Sequence, residues 1–288
     1  MKNKKKFRPS LFRMVFTWPV IIYALLLILA PMLYILFISF QTPDGYGGIE
    51  YQATLDNYAE AFSPPYLVIY GRSLVIGLVT TLICLAIAYP FAIFLRDKSP
   101  RTQSLIITLV MIPFLTNSLI RTYGWLTLLR SHGVINTALL NMGVIKSPLD
   151  LLYNDGALIL GMVYTLLPFM ILPVYSAVSR VDQNVLDAAE DLGASRMKRF
   201  WRVYLPLTKA SAFNGSLMVF IPAIGYFFIA DILGGGKVMI IGNLIKNQFL
   251  TARNWPLGAA ISVLLLLLTF GLVKIYQRLG GSLDELGE

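Results

Sequence analysis

Long apolar runs separated by short polar segments dominate the chain. Several approach the roughly 20 residues that an α-helix needs to cross a hydrocarbon core. Strands of a transmembrane β-barrel would instead alternate apolar and polar positions over about 10 residues. The pattern therefore predicts an all-α fold, a polytopic membrane bundle of about six transmembrane helices. The predicted spans cover residues 16–40, 73–95, 104–120, 157–177, 207–233 and 257–276.

Proline is a second feature of the apolar runs. It occurs in the first five predicted spans, as Pro31, Pro90, Pro113, Pro168 with Pro173, and Pro222. Each proline removes a backbone hydrogen bond that lipid cannot replace, so the freed carbonyl needs a neighbouring helix or a water-filled cavity. Proline is commoner in membrane helices in general, but broken helices also line the substrate path of transporters. Prolines in five of the six predicted spans therefore favour a bundle whose helices change conformation, as in a transporter.

Composition and charge place the chain in the membrane. The mean hydropathy is +0.69, 57% of the 288 residues are hydrophobic and 14% are charged, which excludes an ordinary soluble domain. Most of the 24 Lys and Arg residues fall on the side of the basic N-terminus when the six spans are threaded in order. Because flanking basic residues stay in the cytoplasm, both termini are predicted to be cytoplasmic.

The domain organisation follows from these spans. We expect a basic cytoplasmic head over residues 1–15, a transmembrane domain over 16–278 and a cytoplasmic tail over 279–288. A cleavable signal peptide would have a shorter apolar run with a small-residue exit site, so the first span is predicted to be retained.

Candidate catalytic chemistry is sparse. Cys84 and His132 are the only residues of their types, so neither a metal site nor a Cys–His nucleophile pair is expected. The stretch "GGGKV" lacks Ser or Thr after Lys237 and fails the phosphate-loop pattern. We therefore predict a transport protein rather than a membrane enzyme, with no cofactor in this chain. If ATP drives it, another chain must bind the nucleotide.

A charged insert, residues 181–206, separates the fourth and fifth spans. Asp182 is a candidate N-cap for a short helix with an apolar stripe, and Gly193 supplies a left-handed stop. The stripe consists of Val185, Ala188 or Ala189, and Leu192. Ser195 is predicted to cap a second short helix, whose apolar face carries Met197, Phe200, Trp201 and Tyr204. An amphipathic helix lying on lipid headgroups is the alternative for this second helix.

The insert resembles the "EAA…G…I-x-L-P" loop of ABC importer permeases. The matching residues are Asp187, Ala188, Ala189, Gly193, Leu205 and Pro206. The resemblance implies a type I (MetI-like) permease whose coupling loop docks on a separate cytoplasmic ATPase dimer, which would hold ATP and Mg²⁺. Asp187 stands where the family usually has Glu, and Val203 where it usually has Ile. The aspartate shortens the reach of the carboxylate.

Four further stretches are similar to the permeases of spermidine/putrescine importers. They are "PFLTNSLIRTYGW" at 113–125, "LLPFMILPVYSAVSRVD" at 166–182, "IADILGGGKVMIIGNLIKNQFL" at 229–250 and "NWPLGAA" at 254–260. This similarity implies a second homologous permease, a periplasmic polyamine-binding protein and a polyamine path. A permease for another small solute is the alternative. A secondary carrier would usually be longer, with detectable inverted halves.

A polycation in the membrane needs carboxylates, carbonyls or aromatic faces to replace its water. Asp231 is the only acidic residue inside a predicted span, and Tyr226 lies about one turn before it. We hypothesise that Asp231 and Tyr226 contribute to the polyamine path together with Asn117 and Tyr164. The alternative is that Asp231 pairs with Lys237 or Arg121 to hold the bundle together.

Overall fold

The computed structural model describes residues 11–278. The predicted tail and most of the predicted basic head lie outside this range. In chain order the helices are α1 (Leu11–Ala24), α2 (Ala30–Ile38), α3 (Asp56–Ala61), α4 (Pro64–Arg96), α5 (Pro100–Met111), α6 (Ser118–Leu129), α7 (Val134–Asn141), α8 (Asp155–Ser179), α9 (Gln183–Asp191), α10 (Arg196–Arg199), α11 (Leu205–Gly225), α12 (Phe227–Gly234), α13 (Ile241–Leu250) and α14 (Trp255–Arg278). Thr42–Pro43 (β1) and Ile49–Glu50 (β2) form an antiparallel hairpin.

The spans confirm a helical membrane bundle. Five helical segments between residues 11 and 278 are long and apolar enough to cross a membrane, or six if one bent pair counts as a span. The five are Thr17–Ile38, Pro64–Arg96, Asp155–Ser179, Arg196–Gly225 and Trp255–Arg278. Helix α4 begins nine residues before the predicted start at Ser73, because the helix continues beyond its most apolar part.

The third predicted span, residues 104–120, does not follow one helix axis. It is the bent pair, Pro100–Leu115 and Ser118–Asn141, whose parts meet at 91°. After α5 a 3₁₀ turn, Ile112–Leu115, contains Pro113, and Thr116 is extended. Proline cannot donate to the preceding turn, and the side chain of Asn117 starts a new helix by accepting the Leu119 N–H at 2.8 Å.

The predicted proline interruptions hold in some spans and fail in others. Helices α4 and α8 run unbroken through Pro90, Pro168 and Pro173, so the prediction is wrong for the second and fourth spans. One missing hydrogen bond does not end a helix whose other turns are packed. In the first span a π-helical turn, Leu25–Leu29, precedes Pro31. In the fifth, α11 ends three residues after Pro222 and α12 then resumes the helical path.

Helices α4, α8 and α11 form the centre of the larger compact unit, which comprises residues 63–246 and 266–288 as far as they are described. Helix α12 packs on α6 and α8. Close packing depends on small residues: a Cβ at Gly77 would meet Ile224 at 2.9 Å, and one at Gly161 would meet Leu233. The stretch "NTALLNMGV" at 136–144 predicts a helix in the segment after the third span, and α7 confirms it.

The other compact unit comprises residues up to 62 together with 247–265. The sequence predicts a short helix within the acidic segment 41–71, and α3, which follows the hairpin, confirms it. The buried Asn57 ties α3 to the end of α2, because its side-chain nitrogen donates to the carbonyls of Ser39 at 3.0 Å and Gln41 at 2.7 Å.

Candidate functional site

Helix α9 of the charged insert, residues 181–206, begins and ends where the sequence predicts. The Asp182 side chain accepts the Asn184 N–H at 2.9 Å, which confirms the N-cap. Gly193 has φ +74°, the left-handed conformation expected of the stop. The Gly193 N–H donates to the Glu190 carbonyl at 2.8 Å and closes the last turn.

The predicted apolar stripe of α9 points away from the rest of the chain. Leu186 is the residue that α9 buries, with 2% of its surface exposed, and it was absent from the predicted stripe. On the stripe, Val185 is 44% and Leu192 88% exposed, and Ala188 is also exposed. The Asp187 carboxylate accepts a hydrogen bond from Gln183 at 2.7 Å and is exposed. Helix α9 thus leaves a small apolar face uncovered by the described part of the chain.

The second short helix of the charged insert is not separate from the fifth span. Ser195 caps it, with the Lys198 N–H 3.4 Å from Ser195 Oγ, but the helix then continues to Gly225. A π-helical turn, Phe200–Tyr204, joins the two parts, and the Leu205 N–H donates to the Phe200 carbonyl. Pro206 has no N–H, and the wider turn immediately before it keeps the chain helical.

Arg96, at the end of α4, anchors the charged insert. Its guanidinium donates to Tyr204 Oη at 3.1 Å, to the Val181 carbonyl at 2.9 Å and to Gln183 Oε1 at 2.9 Å. The side chain is only 11% exposed. From the sequence, Arg96 is only one of the basic residues that place this end of the second span in the cytoplasm. Its neighbours in sequence do not indicate which distant residues it contacts.

A salt bridge joins the two helices of the charged insert. Arg199 Nη1 lies 2.7 Å from Glu190 Oε2. Together with the Arg96 hydrogen bonds, this salt bridge ties α9 to α4 and to the helix that continues as the fifth span.

Asp231 is held by its own chain. Its carboxylate accepts from Asn243 Nδ2 at 2.6 Å and from Lys246 Nζ at 2.6 Å. Asn243 is buried and also donates to the Phe227 carbonyl at 3.0 Å. Asp231 therefore forms an ion pair, as the alternative predicts, but the basic partner is Lys246 rather than Lys237 or Arg121.

Tyr164 lies beside a cation instead of a carboxylate. The Arg121 guanidinium carbon is 5.7 Å from the centre of the Tyr164 ring and 5.6 Å from that of Phe114, within cation–π range. Trp125 meets the Tyr164 ring edge to face at 5.5 Å. In the part of the chain that the structure describes, Arg121 forms no ion pair, and its buried Nε has no hydrogen-bond partner.

The four path candidates lie on elements that pack together. Asn117 is at the break before α6, Tyr164 is in α8, Tyr226 is at the break before α12 and Asp231 is within α12. Helix α12 contacts both α6 and α8, which brings the elements together without placing all four side chains in one site. The oxygen of Asn117 is already engaged as a helix cap.

Comparison with known proteins decides the family. Residues 88–281 match the family described as "Binding-protein-dependent transport system inner membrane component". The chain belongs to this family. It is a multi-pass membrane permease subunit and not an enzyme.

Curated relatives resemble the chain along nearly its whole length. It is 43% identical over 273 residues to the spermidine/putrescine transport system permease protein PotB of Haemophilus influenzae, covering 95% of this chain and 94% of the relative. It is 40% identical to the protein of the same name from Escherichia coli K12, covering 91% and 96%.

Solved structures confirm the predicted type I fold. A chain of the bacterial alginate ABC transporter in complex with an alginate pentasaccharide-bound periplasmic protein gives a TM-score of 0.75 at 15% identity, covering 93% of each chain. A chain of the MetNI methionine ABC transporter gives 0.53 at 17% identity, covering 76% of this chain and 97% of that one.

Proposed function

We propose that this chain is one of two permease subunits of an ATP-driven importer of the polyamines spermidine and putrescine. The observation that carries the proposal is the identity of 40% to 43% with spermidine/putrescine permeases, over more than nine-tenths of the chain. A bundle of about six spans with an exposed docking face suits half of a two-permease pore.

The proposed assembly assigns the chemistry of ATP to other chains. A cytoplasmic ATPase dimer holds ATP and Mg²⁺ and receives α9 in a groove, with Asp187, Ala188, Ala189 and Gly193 at the contact and Leu205 and Pro206 opening the fifth span. Both termini lie in the cytoplasm of a bacterium. A second, homologous permease completes the pore, and a periplasmic polyamine-binding protein delivers substrate to the opposite side.

Coupling in this proposal proceeds through α9. Closure of the ATPase dimer shifts α9, and the Arg96 hydrogen bonds carry the shift to α4 and the start of the fifth span. Helix breaks at Asn117 and Tyr226 give the bundle places where backbone angles change without unfolding a whole span.

The proposed polyamine path uses Asp231, Tyr226, Asn117 and Tyr164. A carboxylate replaces part of the hydration of an ammonium group, and an aromatic face adds cation–π attraction. Because Lys246 already neutralises Asp231, a passing ammonium group must compete with it. The pair thus acts as an exchangeable contact rather than a permanently free anionic site.

Uptake measurements test the proposed function. Vesicles containing this chain and its co-expressed neighbouring transport proteins should accumulate labelled spermidine or putrescine only with ATP, and excess thiamine or sulfate should not compete. ATP-dependent uptake of a different solute would retain the permease assignment and overturn the substrate. Uptake that ignores ATP and collapses with the proton or sodium gradient would instead indicate a secondary carrier.

Asp231→Asn tests the path assignment. The variant removes the charge that ammonium groups would meet, and we expect polyamine uptake to fall by about tenfold, equivalent to about 1.4 kcal/mol. Lys246→Gln is the matched control, since it breaks the same ion pair and leaves the carboxylate. Uptake and thermal stability of the assembled complex are measured for both. Normal uptake by an assembled Asp231→Asn complex would eliminate the path role, and equal losses in both variants would assign the pair to structure.

A further inference from the structure

A groove with a volume of about 1130 Å³ runs between α4 and the helix formed by α10, the π-helical turn and the start of α11. Its floor is an apolar stripe of α4, made of Leu82, Leu85, Ala86, Pro90, Ile93 and Phe94. These residues recur at helical spacing over about 18 Å, close to the roughly 15 Å of hydrocarbon in one leaflet. The groove therefore has the length and polarity to hold an acyl chain.

The mouth of the groove is basic. Arg96, Arg196 and Arg199 line it, and Lys98 lies nearby, with Nζ 4.4 Å from the centre of the Phe94 ring. Three carboxylates oppose these four cations: Asp97, 3.9 Å from Arg96, Glu190, paired with Arg199, and Asp187, which accepts a hydrogen bond from the lining Gln183. Positive charge is in excess. Within the described residues Arg196 forms no ion pair and is exposed, so it is available to an anion.

The π-helical turn shapes the wall opposite α4. Phe200, Trp201 and Tyr204 of this turn line the groove, and Trp201 is 59% exposed. A π-helical turn inserts an extra residue into the helix and is frequent at functional sites. Here it places an indole beside the basic mouth, where tryptophan commonly meets lipid headgroups at a membrane interface.

We infer that this groove is a binding site for an anionic phospholipid of the cytoplasmic leaflet. Its phosphate contacts Arg196 at the mouth, and an acyl chain lies along the Leu82–Phe94 stripe of α4. Excess positive charge at the end of an apolar groove between membrane helices matches an anionic headgroup and disfavours a neutral one. The inference rests on the membrane orientation given under the proposed function, in which the groove mouth faces the cytoplasm. It does not depend on polyamine being the substrate.

The site touches the coupling machinery. Arg96 lines the groove and also holds the coupling loop, and Arg199 pairs with Glu190 of α9. A phosphate at the mouth adds negative charge next to both guanidinium groups. Lipid at the mouth would therefore change the electrostatic surroundings of the contacts that join α9 to α4, which gives the membrane composition a route to influence coupling.

Photo-activatable lipids test the inference in the assembled complex. The complex is reconstituted in vesicles with photo-activatable phosphatidylglycerol or phosphatidylcholine, and labelled peptides are mapped. Phosphatidylglycerol should label residues 82–97 or 196–205 more strongly than phosphatidylcholine. Arg196→Gln should lower that labelling about fivefold, the effect expected of one basic residue near an anionic lipid. Lys198→Gln, the same charge change on a residue that does not line the groove, should not.

Ala86→Trp supplies a second variant that leaves every charge in place. The indole fills the apolar floor, so it should lower labelling while the complex remains assembled. Equal labelling by both lipids, or equal effects of Arg196→Gln and Lys198→Gln, would overturn the inference. A photo-reactive amino acid at position 86 that links to the second permease or the ATPase would also overturn it, because a protein would then occupy the groove. Labelling does not require transport, so it can fail or succeed independently of the polyamine assignment.

Discussion

Replacing Ala188 with aspartate is expected to release the ATPase from an intact membrane subunit. Ala188 lies on the exposed apolar stripe of α9, and the helix keeps its own contacts through Leu186, which the substitution does not touch. In the proposed complex the new carboxylate would be buried against the ATPase without a partner. Such burial costs about 3 kcal/mol or more, so ATPase binding should weaken at least about a hundredfold.

The measurement is retention of the ATPase on the purified membrane subunits, followed by ATP-dependent uptake. Ala188→Ser is the matched control: it changes the same position by one small hydroxyl and should retain most of both activities. Gly193→Val is a second probe, because a β-branched residue is strained at φ +74° although a Cβ there meets nothing within 4 Å. Normal ATPase retention and uptake in both Ala188→Asp and Gly193→Val would remove the docking assignment.

Local signals explain the predictions that hold. The Asp182 and Ser195 caps, the Gly193 stop and the apolar runs each depend on residues a few positions apart, which a sequence shows directly. The apolar stripe of α9 that contains Ala188 is visible in the sequence, but its exposure is not. The helix also carries Leu186, so either side of it could have faced the bundle.

Proline was the least reliable signal. Pro90, Pro168 and Pro173 lie within unbroken helices, whereas Pro113 and Pro222 precede breaks. The difference lies in the residues after each proline: Asn117 can cap a new helix after Pro113, and the non-helical Tyr226 comes after Pro222. A missing N–H weakens a helix at one turn, and a break also requires a way to satisfy the groups exposed at the new ends.

Contacts between distant residues could not be predicted. Asp231 was recognised as an unusual charge, but its bonds to Asn243 and Lys246 depend on how α13 folds back on α12. Arg96 reaches residues more than 80 positions away, and its own neighbours in sequence indicate only a basic flank of a span. The candidate site was thus predictable as a docking helix, and its connection to the bundle was not.

Replacing Arg96 with glutamine is expected to separate ATP hydrolysis from transport. The three hydrogen bonds of its guanidinium tie α4 to Tyr204, Val181 and Gln183. Hydrogen bonds made by a charged group contribute about 1.5–3 kcal/mol each, and a shorter neutral amide cannot reach all three acceptors. Uptake should therefore fall at least about tenfold, which corresponds to about 1.4 kcal/mol of lost coupling. ATPase retention should remain, since the exposed stripe of α9 is unchanged.

Hydrogen exchange of residues 181–193 in the assembled complex measures directly how firmly α9 is attached to α4. Without the Arg96 contacts the helix should exchange faster, because its attachment to α4 would open more often. Arg101→Gln is the matched control, as it removes an exposed positive charge from the start of α5, five residues further along the chain. Unchanged exchange and uptake in Arg96→Gln would show that the loop is held by other contacts, namely the Glu190–Arg199 bridge and the buried Leu186. Faster exchange with normal uptake would mean that a loosely attached α9 still transmits the motion, and rigid attachment would not be part of the coupling mechanism.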